Sequence, residues 1–165
     1  MSDDPRYILE RTFNAPPELV WEAWTNEKYQ SRWYGPGVDT IVHKHEPRKG
    51  GEWLVEMKGE GWSGFQRAEY LEFTPPSRLV FLQSMADSDW NATTNPKMPD
   101  WPRVMHTDVS FTATGDGKTE MRLVWTPHEA SEAESAFFAA SLEGMGRGWG
   151  MGMDILDDLL AELQA

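Results

Sequence analysis

The chain has 165 residues, and 27 Asp and Glu against 15 Lys and Arg give it a formal charge of −12, so phosphate backbones and anionic lipid head groups are repelled from most of its surface and neither nucleic acid nor membrane is an expected partner. It has no cysteine, which excludes disulfides, thiolate metal sites and cysteine nucleophiles. No apolar run approaches the roughly 18 to 20 residues that span a bilayer, and the opening Met1-Ser2-Asp3-Asp4-Pro5-Arg6 lacks the basic and apolar regions of a secretory signal, so the expected compartment is the cytoplasm and the expected organisation a single domain over 1–165.

In Tyr7 to Phe13, Tyr7, Leu9 and Phe13 alternate with Ile8, Glu10 and Thr12, which predicts a first strand. Asn14-Ala15-Pro16-Pro17 ends it, and a short helix over Glu18 to Trp24 follows, with Val20 and Trp24 on one face. A second short helix runs from about Glu27 to Trp33, stopped by Gly35-Pro36-Gly37. Strands are then predicted over Val38 to His45, Glu52 to Lys58, Ser63 to Phe73 and Arg78 to Met85, with short connectors that make an antiparallel meander. Ala86 to Pro102 is rich in Asp, Asn and Pro and reads as a long surface loop whose Trp90, Met98 and Trp101 fold over the protein or meet a partner. Strands resume at Val104 to Thr114 and Glu120 to Thr126, joined by the hairpin turn Gly115-Asp116-Gly117-Lys118.

The remainder is predicted helix, opened by a capping box of Ser131 and Glu134. Trp149, Met153, Leu156, Leu160 and Leu163 form its apolar stripe. Gly144, Gly146, Gly148, Gly150 and Gly152 interrupt it, and each interior glycine costs on the order of 1 kcal/mol relative to alanine. Either the helix breaks into two pieces there, or the missing side chains leave room for a ligand or for the sheet to approach.

Arg11-Thr12-Phe13-Asn14-Ala15-Pro16, then Val20-Trp21-Glu22-Ala23-Trp24-Thr25 and Trp33-Tyr34-Gly35-Pro36, resemble the opening of the bacterial branch related to the activator of heat-shock-protein-90 ATPase, within the START-related (SRPBCC) superfamily. Glu46-Pro47-Arg48-Lys49-Gly50-Gly51 is similar to that branch's Asp-x-Arg-x-Gly-Gly signature, with Glu46 where aspartate is usual, and Glu72-Phe73-Thr74-Pro75-Pro76-Ser77-Arg78-Leu79 and Gly148-Trp149 with Leu156 and Leu160 resemble its later motifs. The resemblance spans nearly the whole chain and implies an α+β helix-grip fold: a curved antiparallel sheet of about seven strands around a long C-terminal helix, with two short helices after the first strand. The segment 86–102 has no counterpart in the motif series. The superfamily hosts carriers, receptors, cyclases and oxygenase subunits, so the resemblance fixes a fold and leaves function to the site.

Chemistry-bearing motifs are sparse. His43 and His45, two apart, are expected on one strand face, where metal binding would need a third ligand that no spacing supplies. Parity puts His106 and Asp108 opposite Met105, Thr107, Val109 and Phe111, hence toward solvent, and places Arg67 and Glu69 either in a pocket or in an ion pair at the sheet edge. Arg48 is expected to hold its glycine turn through a carboxylate. No nucleophile elbow, phosphate loop, dinucleotide fingerprint or zinc-binding helix is present, and no cofactor or metal is expected.

Three functional readings stand. The first is binding of a small, largely apolar or amphipathic molecule between sheet and final helix, lined by Trp33, Trp53, Val55, Tyr70, Phe81, Met105, Trp125, Met145, Trp149 and Met153, residues taken from strand parity and the helix stripe. The second is an enzyme acting on a polar carbonyl substrate through Arg67, Glu69 or His106. The third is a module that binds a protein partner or a second copy of itself, as the chaperone-activator resemblance implies, using the acidic surface and the tryptophan-bearing loop.

Overall fold

A computed structural model describes residues 5–33, 39–94 and 96–165; the turn expected at Gly35-Pro36-Gly37, the family motif's Tyr34 and the strand start at Val38 lie outside them. The first strand, β1 (Tyr7–Phe13), is followed by α1 (Pro17–Thr25) and α2 (Glu27–Trp33). Pro17 opens α1, where its missing N–H sacrifices no helical bond. The meander continues as β2 (Asp39–His45), β3 (Glu52–Gly59), β4 (Trp62–Thr74) and β5 (Arg78–Ala86); β6 (Ala92–Thr93), β7 (Met105–Ala113), β8 (Thr119–Pro127) and α3 (Glu132–Leu163) complete the order.

All the pairings are antiparallel, and the sheet runs β1-β8-β7-β5-β4-β3-β2, with the two-residue β6 added beside β5. The helix-grip arrangement expected from the sequence is therefore present, with β6 as an addition inside the segment read as irregular loop. Register shifts at Val42/Lys44 and at Tyr70/Glu72 mark bulges, which add local twist and help the sheet curve. At the β2–β3 turn Gly50 has φ +81°, and a Cβ on Gly51 would lie 2.0 Å from the Glu46 carbonyl oxygen, so the paired glycines are required by the backbone path. Arg48 donates to Glu46 Oε2 at 3.0 Å across this turn, the fold-holding role expected of it.

One half of the concave side is filled. α1 lays Val20, Trp21 and Trp24 against it, and Trp21 meets Phe73 at 4.9 Å, Phe73 meets Tyr70 at 5.4 Å, and Tyr70 meets Phe81 at 6.2 Å, a continuous edge-on series of rings. Trp24 and Trp33 pack at 4.6 Å, and the Trp33 indole donates to the Ala23 carbonyl at 2.8 Å. The last turns of α3 complete this core with Met153, Leu156, Leu159 and Leu160.

α3 is one continuous helix of 32 residues, so the glycine series does not break it. Its start is fixed by the expected capping box: Ser131 Oγ accepts from the Glu134 amide at 3.1 Å and Glu134 Oε1 accepts from the Ser131 amide at 3.0 Å. Phe138, fully buried near that start, and Leu156 to Leu160 near the far end anchor both sides of the glycines, offsetting their helix cost by burial.

Candidate functional site

The other half of the concave side is open. A cavity of about 570 Å³ lies there, within the range that accommodates small organic ligands. The sheet contributes Met57 from β3, Gln66 from β4, Gln83, Ser84 and Met85 from β5, Met105 from β7 and Trp125 from β8. α2 contributes Trp33, and α3 contributes Gly144, Met145, Trp149 and Gly152. The segment after β5 supplies the remaining wall with Thr93, Thr94, Met98, Trp101, Pro102 and Arg103.

The glycines explain why space remains. Nothing lies within 4 Å of a Cβ built on Gly144, whereas one on Gly152 would already stand 3.4 Å from the Trp33 carbonyl oxygen. Gly144 thus leaves volume at the helix surface, and Gly152 lets α3 come close to the end of α2. Aromatic contacts frame the cavity: Trp125 meets Trp149 at 5.5 Å and Trp101 at 5.7 Å, and Trp101 also meets Phe138 at 5.8 Å. Polar groups are few. Gln83 Nε2 donates to Gln66 Oε1 at 3.1 Å, while Gln83 Oε1 and the Trp125 indole nitrogen are buried without a hydrogen-bond partner among the described residues.

A model of the family described as Activator of Hsp90 ATPase homolog 1-like protein matches residues 14–161. The chain belongs to that family. Among solved structures, a protein from Mycobacterium smegmatis is 23% identical with a TM-score of 0.77, covering 98% of this chain and 94% of the other. One from Arthrobacter aurescens is 22% identical with a TM-score of 0.80, covering 98% and 90%. An AHSA1 protein from Silicibacter pomeroyi is 19% identical with a TM-score of 0.70, covering 98% and 100%. These three share the fold. No curated protein matches the chain.

Within this chain, the candidate lining residues fall into two groups. Trp33, Met105, Trp125, Met145 and Trp149 line the cavity. Trp53, Val55, Tyr70, Phe81 and Met153 are not on its wall and belong to the packed core, which Trp33, also buried, joins from the cavity side. Parity names the face a side chain occupies, but the helices decide which stretch of that face is covered. Tyr70 and Phe81 join the ring series that starts at α1, and Met153 lies one turn past Trp149, among the buried leucines.

Sequence reasoning missed Met57, Gln66, Gln83 and Met85, although a signal was present: Gln66 shares the parity of Tyr70, Gln83 and Met85 that of Phe81, and Met57 that of Val55. It also left open the role of the segment 86–102. The structure turns part of it into β6 and seats Trp101 against Trp125, Phe137 and Phe138, so it closes one side of the cavity. Trp90 lies elsewhere, on the outer side, against His43 and Phe65.

The chemistry-bearing candidates are not gathered at the cavity. The bulge at Val42/Lys44 corrects the expectation that His43 and His45 share a face: His43 contacts Glu56 at 3.0 Å, while His45 turns inward to the Tyr70 hydroxyl at 3.3 Å. Burial pushes the His45 imidazole below its ordinary pKa and the Tyr70 phenol above its own. No cluster of metal-ligating side chains occurs among the described residues. Arg67 pairs with Glu52 at 3.2 Å and donates to the Trp90 carbonyl at 3.0 Å, while Glu69 is exposed. His106 and Asp108 face away from buried Met105, Thr107 and Val109, as expected; His106 stacks on His128 and Asp108 pairs with Arg78 at 2.7 Å. Arg67, Glu69 and His106 are all absent from the cavity wall. No helix of the described residues is long and apolar enough to cross a membrane.

Proposed function

We propose that this member of the family binds a small, largely apolar molecule in the space between the sheet and α3. The observation that carries the reading is the partly open pocket of about 570 Å³ bordered by Trp33, Met57, Met105, Trp125, Met145 and Trp149. Thioethers adapt to ligands of irregular shape, and the indoles provide rigid apolar walls. Binding removes apolar surface from water on both sides at roughly 25 cal/mol per Å² before ordering costs are subtracted. The buried Gln83 Oε1 and Trp125 indole nitrogen add an acceptor and a donor that a modest side-chain adjustment would present to a ligand.

The test uses a neutral fluorescent probe, N-phenyl-1-naphthylamine, and a panel of uncharged aromatic and aliphatic compounds. The expected result is saturable quenching of tryptophan fluorescence, probe displacement by panel members, and a Tm that rises with ligand concentration. Absence of all three responses across the panel contradicts the proposal. A catalytic reading has no specific support, because the polar candidates Arg67, Glu69 and His106 stand away from the cavity wall.

A further inference from the structure

The charge of the cavity wall is opposite to the charge of the protein. The chain carries 27 Asp and Glu and a formal charge of −12, yet among the described residues no carboxylate lines the cavity and the single ionised side chain there is Arg103. Arg103 is exposed and stands at the end of the segment that closes the cavity, next to Pro102 and Trp101. Its own backbone is held in place: the Arg103 amide donates to Glu134 Oε2 at 2.8 Å, and the other oxygen of that carboxylate accepts from the Ser131 amide. Glu134 accepts from two amides and feels the Arg103 charge, which helps to lower its pKa, but no direct ion pair or side-chain hydrogen bond engages the Arg103 guanidinium among the described residues, so its N–H donors are open to a ligand. Arg11, Arg32, Arg48, Arg67 and Arg78 have carboxylate partners, while Arg6, Arg122 and Arg147 are, like Arg103, without an ion pair among the described residues; what sets Arg103 apart is its place on the cavity wall.

We infer that the ligand is an amphipathic acid, whose apolar body lies between Trp125, Trp149 and Met105 and whose carboxylate meets the Arg103 guanidinium at the cavity rim. This rests on the cavity being the binding site. A guanidinium presents a planar fork of N–H donors that matches the two oxygens of a carboxylate. The net acidic surface repels an anion over most approaches, whereas on the cavity wall Arg103 offers a cation to a carboxylate, partly offset by the neighbouring Glu134. Because Arg103 is exposed, the gain is moderate and screened by salt.

The experiment compares dodecanoate with dodecan-1-ol, both below their aggregation limits, by displacement of N-phenyl-1-naphthylamine from the wild-type protein, from Arg103→Gln and from Arg48→Gln, a control that removes an arginine outside the cavity wall. Dodecanoate is expected to bind the wild type about three- to tenfold more tightly than the alcohol, an advantage on the scale of a partly exposed charge pair. Arg103→Gln abolishes that advantage with little change for the alcohol, Arg48→Gln preserves it, and added salt narrows it. Equal binding of acid and alcohol by the wild type, or an undiminished preference in Arg103→Gln, overturns the inference while leaving the cavity as a site. Failure of the protein to bind the probe, the acid and the alcohol overturns both together. Unchanged thermal unfolding of Arg103→Gln confirms that a lost preference reflects the rim and not the fold.

Discussion

At the scale of single residues, the interior is set by which side chains are missing as much as by which are present. Gly144 is exposed at the cavity and a Cβ there meets nothing within 4 Å. Gly144→Ala is accordingly expected to raise stability by about 0.5–1 kcal/mol through helix propensity, seen as a Tm about 1–4 °C higher, with probe binding retained. Gly144→Trp instead occupies the open space; it is expected to leave the circular dichroism spectrum intact and to weaken N-phenyl-1-naphthylamine binding at least about tenfold, and undiminished affinity would show that the probe binds elsewhere. Trp33 serves the filled half as well as the open one: it is 1% exposed, donates to the Ala23 carbonyl and also lines the cavity. Trp33→Ala is expected to cost roughly 3–5 kcal/mol in urea unfolding, far more than an equivalent change at a residue that only lines the void.

At the scale of elements, the start of α3 and the segment that closes the cavity share one carboxylate. Glu134 accepts from the Ser131 amide and from the Arg103 amide, and the backbone bond at Ser131 is the first of the causes that hold its pKa below the ordinary glutamate value. A carboxylate whose folded pKa is depressed contributes stability above its unfolded pKa and loses that contribution as pH falls through the folded value. Stability is therefore expected to decline as pH drops below the ordinary carboxylate range, and the decline is expected to be shallower in Glu134→Gln; an identical pH profile for the two proteins would remove Glu134 from the account. Ser131→Ala is expected to cost about 1 kcal/mol in the same unfolding assay. Element positions were largely legible in the sequence, because β1, α2 and the apolar stripe of α3 show period and boundary residues together. What stayed illegible depends on contacts between distant segments. The bulge that separates His43 from His45 has no local signature, and the two residues of β6 pair only because β5 happens to extend to Ala86. Parity identified Met105 and Trp125 but admitted Tyr70 and Phe81 equally, since covering by α1 is invisible from within a strand.

At the scale of the whole molecule, one sheet face performs two tasks. The half under α1, α2 and the last turns of α3 is packed with rings and leucines, and the part under the glycine-bearing turns holds the cavity, walled on one side by the segment ending at Arg103. On the proposed function, stability rests mainly on the first half and ligand selectivity on the second, so changes at the more exposed cavity residues such as Met98 are expected to alter ligand preference more readily than fold. Family membership explains the shared architecture and the signature turn at Gly50 and Gly51. The cavity's chemistry follows from the side chains that line it, above all Trp101, Trp125, Trp149 and Arg103. The most direct measurement is a crystal structure grown with 1-bromonaphthalene and read by anomalous diffraction at the bromine edge. The account predicts a bromine peak in the space bounded by Met105, Trp125 and Trp149; a peak confined to the outer surface, or none from protein saturated with the compound, would contradict it.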